Sequence, residues 1–308
     1  MVHHNHIGCD IGKAVIDIFQ PKTERWLRID NTLAELSAFS AMLDPACDFV
    51  VMEATGGYDR LLRHALSAAG IAHARINPVQ VRRFAQARGR LAKTDRLDAR
   101  TLSQFGSMFK PEADQPPSAA HEELVSLARR RDQLVEMRAT ELRHLSETVP
   151  AFVAADIQAG IADLGRRITA IESAITTLVN ADAALCATVK RLQTAPGVGP
   201  VTAIALMAHM PELGQLTPKT AASLAGLAPI NKDSGKHKGH RSIGGGRPRL
   251  RRALYMAALA ATHSQSRFRN FYTAVAARSG SKKVAIIAVA RKLLTALNAM
   301  QRDEVCFQ

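Results

Sequence analysis

Four acidic side chains in the first hundred residues have the types and positions of a site for divalent cations. Asp10 lies in an apolar strand, in I-G-C-D-I-G-K, and Glu53 ends another, in V-V-M-E-A-T-G-G. Asp95 and Asp98 are three residues apart in K-T-D-R-L-D-A-R and share one face if this segment is helical. Carboxylate oxygens are the ligands that Mg²⁺ prefers, and paired metal ions assist phosphoryl transfer. The set therefore predicts that Asp10, Glu53, Asp95 and Asp98 hold Mg²⁺.

The two aspartates of K-T-D-R-L-D-A-R also have a simpler explanation. Asp95 and Asp98 could pair with Arg96 and Arg100 on a solvated helix surface. Glu53 is harder to explain in that way, because a carboxylate among apolar residues is costly to bury without a cation or a donor. The whole set therefore favours the metal site more than any member does alone.

A glycine-rich segment, residues 231–252, is the second candidate for chemistry and is called the basic segment below. It contains eight Lys or Arg residues, and Asp233 is its acidic residue. Such a loop lets backbone and cations approach a phosphodiester closely. The cations predicted to contact nucleic acid are Lys236, Lys238, Arg241, Arg247, Arg249 and Arg251. Ser234 is the exposed hydroxyl of the loop, and the residues alone allow either a nucleophile or a phosphate hydrogen-bond donor.

The sequence L-Q-T-A-P-G-V-G-P-V-T-A-I predicts two helices joined by a tight glycine turn. Gly197 and Gly199 would expose backbone N–H groups at the start of the second helix, where a phosphate can bind. This pattern resembles the helix-hairpin-helix of DNA-binding proteins. A turn between two helices without any ligand is the alternative.

The charge of the chain indicates a polyanionic partner. The 308 residues include 41 Lys and Arg against 27 Asp and Glu, a formal net charge of +14. The four cysteines form no C-x-x-C pair, which argues against a zinc ribbon or a disulfide scaffold. No apolar run approaches the roughly 18–20 residues of a membrane-spanning helix, and no signal-peptide core is present near the start. We expect a cytoplasmic protein bound to nucleic acid rather than to a membrane.

The order of predicted elements separates an α/β region from helical regions. Strands and helices alternate over the first hundred residues, which predicts a mostly parallel or mixed sheet covered by helices. The proline-rich segment 111–118 marks a boundary, and helices follow it. Apolar residues then repeat at heptad spacing over positions 157–178, which predicts a coiled-coil hairpin or an ordinary bundle within one domain.

Several of these motifs, in this order, resemble the DEDD transposases of bacterial insertion sequences. They are G-C-D-I-G-K, E-A-T-G-G-Y and K-T-D-R-L-D-A-R, then P-G-V-G-P-V-T-A, A-S-L-A-G-L-A-P, D-S-G-K-H-K-G-H-R and G-G-R-P-R-L-R-R-A-L-Y-M-A-A-L. The similarity spans nearly the whole chain. This family is described as bridge-RNA-guided serine recombinases.

The resemblance implies an α/β RNase H-like (RuvC-like) domain over residues 1–112 and a coiled-coil helical hairpin over 119–185. A mostly α-helical transposase domain with a helix-hairpin-helix-like motif would follow over 190–308. The family's acidic tetrad, which holds Mg²⁺, corresponds to Asp10, Glu53, Asp95 and Asp98. Its nucleophilic serine corresponds to Ser234. Ser242 is a weaker match because no glycine follows it directly.

The function implied by the resemblance is cutting and rejoining of DNA by a homo-oligomer, a dimer or tetramer, guided by a structured RNA. Donor and target DNA would be the substrates, and the serine would form a covalent 5′-phosphoserine link. Two alternatives remain open. One is a metal-dependent nuclease similar to Holliday-junction resolvases, and the other is a non-catalytic nucleic-acid-binding protein.

Overall fold

The computed structural model describes residues 5–308 except 55, 90–94, 116–117, 148–149, 232–238, 240 and 264–265. The chain divides into two compact units, Met1–Pro117 and Ser118–Gln308. Each unit has its own hydrophobic core.

The first unit is an α/β unit built on a mixed sheet. Its strands are β1 (Asn5–Ile11), β2 (Val15–Gln20), β3 (Arg25–Asp30), β4 (Asp48–Glu53) and β5 (Ala72–Ile76). Its helices are α1 (Leu33–Ala41), α2 (Arg60–Ala68), α3 (Pro78–Ala87) and α4 (Asp95–Phe109). The strand order is β3-β2-β1-β4-β5, with β1 antiparallel to β2, β2 antiparallel to β3, and β1, β4 and β5 parallel. The predicted mixed sheet covered by helices is therefore confirmed.

Both faces of this sheet are covered, which explains why the interior of β4, from Phe49 to Met52, is apolar rather than alternating. On one face, Leu36 of α1 and Leu62 of α2 pack against β1, β2 and β4. On the other face, Phe84 of α3 and Leu102 of α4 pack against β4 and β5.

An extended segment after α4 covers the outer edge of β5. The N–H of Asp114 donates to the carbonyl oxygen of His73 at 2.8 Å. In return, the backbone N–H of Arg75 donates to Asp114 Oδ2 at 3.1 Å, and Arg75 Nε donates to the same oxygen at 2.9 Å. The segment therefore occupies hydrogen-bonding groups of an edge strand.

The second unit is mostly helical, as the sequence predicts. Its helices are α5 (Ala119–Leu145), α6 (Ala151–Ala181), α7 (Ala183–Gln193), α8 (Pro200–His209), α9 (Pro218–Leu224), α10 (Pro248–His263), α11 (Arg267–Ser279) and α12 (Lys282–Arg302). Two short strands, β6 (Pro229–Ile230) and β7 (Ser242–Ile243), form an antiparallel pair. Helix α12 is long and apolar enough to cross a membrane, yet Val289, Leu293 and Leu297 are buried in the core of this unit.

Helices α5 and α6 pack against each other as an antiparallel pair. Arg131 Nε donates to Glu172 Oε1 at 2.8 Å, and further along α5, Leu134 packs with Leu164 and Ile168. The partner positions in α6 decrease as those in α5 increase, which defines the antiparallel direction. The buried residues of the heptad pattern are Leu164, Ile168 and Ile175. These three residues pack within the chain, whereas the division into regions 119–185 and 190–308 stays a prediction.

Candidate active site

Asp10 and Glu53 are neighbours at the carboxyl ends of two paired parallel strands. The register pairs Cys9 of β1 with Met52 of β4, so Asp10 and Glu53 are the next pair along. Paired residues of adjacent strands point to the same face of a sheet. Both residues are half-buried. Carboxyl ends of parallel strands are where α/β proteins commonly bind ligands.

Helix α4 lies against this same face and begins near the two carboxylates. Gly8, two residues before Asp10, packs so closely that an added Cβ would lie 1.9 Å from the carbonyl oxygen of Ala99. Glycine is therefore required at position 8 for the helix to approach the strand. Asp98 directly precedes Ala99 in the first turn of α4 and is half-buried. Close packing of α4 thus places Asp98 on the face that carries Asp10 and Glu53.

The predicted tetrad is only partly described. The side chain of Asp95 lies outside the described residues, although its backbone begins α4. Among the residues that the structure describes, no three His, Cys, Asp or Glu side chains form a cluster that could hold a metal ion. The donor chemistry fits Mg²⁺, since all the candidates are carboxylates.

A fifth carboxylate, which the sequence analysis missed, lies beside this group. Asp17 of β2 is directly opposite Asp10 of β1 and points to the same face. Its side chain is 6% exposed and is bonded to Arg28 of β3 through both oxygens, at 3.0 and 2.7 Å. The available signal was an acidic residue in an otherwise apolar strand, V-I-D-I-F.

Cys9, beside the acidic group in sequence, is not a candidate nucleophile. Burial raises the pKa of its thiol strongly, and the charge of Asp10 raises it further. The thiol is fully buried and therefore stays protonated and inaccessible at neutral pH.

The centre of the basic segment lies outside the described residues, and so Ser234, Lys236 and Lys238 have no structural description. The chain on either side of it is described. Ile230 of β6 pairs with Ser242 of β7, so the described chain before that centre is held to the described chain after it. Arg241 directly precedes β7 and is exposed.

Arg247 and Arg249, two predicted nucleic-acid ligands, make contacts within the chain. Arg247 donates to both carboxylate oxygens of Glu212, at 2.7 and 2.6 Å, and to the carbonyl of His209. Arg249 Nη1 donates to Asp132 of α5 at 2.8 Å. These bonds join the start of α10 to α5 and to the end of α8.

Arg251 also bonds to the chain itself, since it donates to the carbonyl oxygen of Gly245 at 2.7 Å. The neighbouring Arg252 is 70% exposed, with Glu136 3.9 Å away. The described cations of the basic segment therefore differ in role. Arg241 and Arg252 face solvent, whereas Arg247, Arg249 and Arg251 also have structural contacts.

The two glycines of the predicted helix-hairpin-helix have different surroundings. Gly197 has a φ of +80°, and an added Cβ would lie 2.2 Å from the carbonyl oxygen of Ala257 in α10. Gly199 caps α8 in an extended conformation, and an added Cβ there would meet no atom within 4 Å. Gly197 therefore has a packing role inside the unit, and Gly199 lies at the open helix start.

Comparison with known proteins connects the acidic region and the helical region to one family. Residues 7–153 match a sequence-family model for the DEDD transposases of the IS110 type, which is described as Transposase. Residues 189–273 match a second family model, which is described as Transposase IS116/IS110/IS902 family. The chain is 30% identical over 263 residues to the pilin gene-inverting proteins of Moraxella lacunata and Moraxella bovis. Each match covers 82% of this chain and 80% of the relative.

The chain is also 36% identical over 121 residues to the insertion element IS110 uncharacterized 43.6 kDa protein of Streptomyces coelicolor. This shorter match covers 38% of this chain and 29% of that protein. The resemblance drawn from the sequence motifs is confirmed by these matches. A DEDD transposase domain has an RNase H-like fold, which corresponds here to the mixed five-stranded sheet and its helices. The chain belongs to the IS110/IS116/IS902 family of transposases.

Proposed function

We propose that this transposase cuts and rejoins DNA with Ser234 as the nucleophile and with Mg²⁺ held by Asp10, Glu53, Asp95 and Asp98. The observation that supports the metal site is the neighbouring position of Asp10 and Glu53 at the carboxyl ends of β1 and β4. Helix α4, which carries the two aspartates, packs on the same face. Mg²⁺ bound there would neutralise charge on the scissile phosphate and make its phosphorus more electrophilic.

The proposed reaction conserves the phosphodiester energy in a protein–DNA bond. Ser234 Oγ attacks the phosphorus and loses its proton, the bond from phosphorus to the 3′ oxygen breaks, and that oxygen leaves as a 3′ hydroxyl. The 5′ phosphate stays on the serine. A 3′ hydroxyl of another strand then reverses the step without ATP. The names of the Moraxella relatives describe inversion of a pilin gene, which fits rejoining rather than simple hydrolysis.

The remaining features have roles in binding nucleic acid and in assembly. Arg241 and the loop cations Lys236 and Lys238 contact phosphates of donor and target DNA or of a structured guide RNA. Gly199, in a helix-hairpin-helix-like turn, offers its N–H to a phosphate. The α5–α6 pair is the coiled-coil hairpin of a protein that works as a dimer or tetramer on DNA at the bacterial nucleoid.

Substitution of the metal ligands tests the acidic site. Asp98→Asn or Glu53→Gln should abolish strand cleavage in Mg²⁺ and leave nucleic-acid binding within a few-fold of the original value. Cleavage at the original rate by either variant would refute the assignment.

Trapping of the covalent adduct tests the serine. Ser234→Ala should lose both cleavage and the protease-sensitive shifted band on a denaturing gel of labelled DNA. Ser242→Ala is the matched control, because Ser242 lies in β7 opposite Ile230, and it should cleave normally. A covalent adduct formed by Ser234→Ala would refute the assignment of Ser234 as the nucleophile. Cleavage by Ser234→Ala without an adduct would favour a resolvase-like nuclease. Binding of DNA by the unsubstituted protein without any cleavage would favour a non-catalytic protein.

A further inference from the structure

An ion pair beside the acidic site connects three adjacent strands of the sheet. Asp10 of β1, Asp17 of β2 and Arg28 of β3 are in register, so all three point to one face. Directly opposed side chains have Cβ atoms about 4.5–5.5 Å apart, which brings the two carboxylates within mutual influence. Two like charges directly opposite each other repel unless one of them is compensated.

Arg28 supplies that compensation through both oxygens of Asp17. Its Nε donates to Oδ1 at 3.0 Å and its Nη2 to Oδ2 at 2.7 Å. A bidentate pair of this kind fixes the direction of the carboxylate as well as its charge. Asp17 is almost fully buried, so removal of Arg28 would leave an uncompensated buried charge, which another cation would stabilise.

We propose that Arg28 keeps Asp17 out of the Mg²⁺ site and thereby limits the carboxylates available to the cation to Asp10, Glu53, Asp95 and Asp98. This inference rests on the proposed function, since it takes the four residues as metal ligands. Arg28 and Asp17 are positioning residues in this scheme. The arginine turns a fifth carboxylate toward β3 and away from the metal.

The test is binding of Mn²⁺, a spectroscopic substitute for Mg²⁺, to the full-length protein by electron paramagnetic resonance titration. Arg28→Met should bind Mn²⁺ about tenfold more tightly than the original protein, because the buried Asp17 charge becomes available at short range. The number of water molecules coordinated to Mn²⁺, measured by spin-echo modulation, should fall. A merely structural role for Arg28 would lower stability without tightening metal binding.

Three further variants separate this effect from a general loss of positive charge. Arg28→Met combined with Asp17→Asn should return the affinity to the original value. Arg28→Lys should stay within about threefold of it, because an ammonium keeps the charge without the bidentate geometry. Arg25→Met is the matched control on the same strand, since Arg25 is exposed and opposite Gln20, and it should change nothing.

Unchanged or weaker Mn²⁺ binding by folded Arg28→Met would overturn the inference. If that variant does not fold, Asp17→Asn decides, because it leaves the Arg28 charge uncompensated and should weaken binding several-fold without changing the number of water molecules coordinated to Mn²⁺. Unchanged binding by Asp17→Asn, or a gain of coordinated water, would then overturn the inference. Failure of the proposed function is recognised separately: Mn²⁺ binding that survives Asp10→Asn refutes the metal site itself, whatever Arg28 does.

Discussion

Replacement of Gly197 by alanine should destabilise the second unit, because two separate costs arise at this position. Its φ of +80° lies in the left-handed region, which costs a residue with a Cβ about 1–2 kcal/mol. The new Cβ would also lie 2.2 Å from the carbonyl oxygen of Ala257 and 2.7 Å from the backbone nitrogen of Ala261. Both atoms belong to the backbone of α10, so the helix itself must move, at a further cost of about 1–3 kcal/mol.

We therefore expect Gly197→Ala to lower the free energy of unfolding by about 3 kcal/mol, from the sum of these two costs. For a unit of this size the melting temperature should fall by roughly 6–12 °C. Differential scanning calorimetry of the full-length protein measures the change. Unfolding of Gly197→Ala at the original temperature would refute the packing role.

Gly199→Ala is the matched control two residues away. Gly199 is extended, with φ −89° and ψ 179°, and open space surrounds its Cβ direction. Its free energy of unfolding should fall by less than about 1 kcal/mol, which is the cost of replacing glycine by alanine at an N-cap. Fluorescence anisotropy with labelled DNA should show weaker binding for this variant if the start of α8 contacts a phosphate.

Three further predictions concern packing, pH and salt. Leu164→Ala should lower the free energy of unfolding, measured in urea, by about 2–5 kcal/mol because Leu164 is buried against Leu134. Phe152→Ser is the control: at a position 86% exposed, it should change that free energy by less than about 0.5 kcal/mol. Equal effects of the two substitutions would contradict the burial of Leu164. Burial, assisted by the charge of Arg249, lowers the pKa of His209. Since the unfolded chain binds this proton near pH ~6.5 and the folded chain resists it, stability should fall as the pH drops from 7 to 5. His209→Gln should reduce that fall in urea titrations, and an equal fall would contradict the assignment. If the basic segment contributes to six phosphate contacts with duplex DNA, a plot of the logarithm of the binding constant against the logarithm of salt concentration should have a slope of roughly −5. A slope near zero would exclude the basic segment from the interface.

The candidate acidic site could be predicted in part because strand ends are visible in the sequence. Asp10 and Glu53 follow apolar runs, and parallel pairing brings such ends together. Asp17 was missed because its position opposite Asp10 depends on the register of β1 and β2. Alternation within one strand shows which residues share a face, but not which residue of the next strand is their neighbour.

The arginines of the basic segment show a second limit. Charge density in the sequence indicates binding to phosphates, yet Arg247 is bonded to a glutamate 35 positions earlier and Arg249 to an aspartate 117 positions earlier. Gly197 shows the same limit, because its need for glycine comes from α10, some 60 positions later. Local motifs indicate a tight turn or a basic loop, whereas contacts with residues distant in the sequence determine which residues of the motif face solvent.

The extended segment that bonds to β5 through Asp114 has a consequence for solubility. An uncovered edge strand offers its amide and carbonyl groups to any other chain, and this is a common route to aggregation. On this side of the sheet the protein occupies those groups with its own residues, and a carboxylate accepts the N–H of Arg75. On the opposite side, β3 carries Arg25, Arg28 and Asp30, and such charges discourage an incoming strand. A fragment that ends at Lys110 would therefore lose the cover of β5 and gain a surface for intermolecular strand pairing, whereas one that extends through Gln115 would keep it.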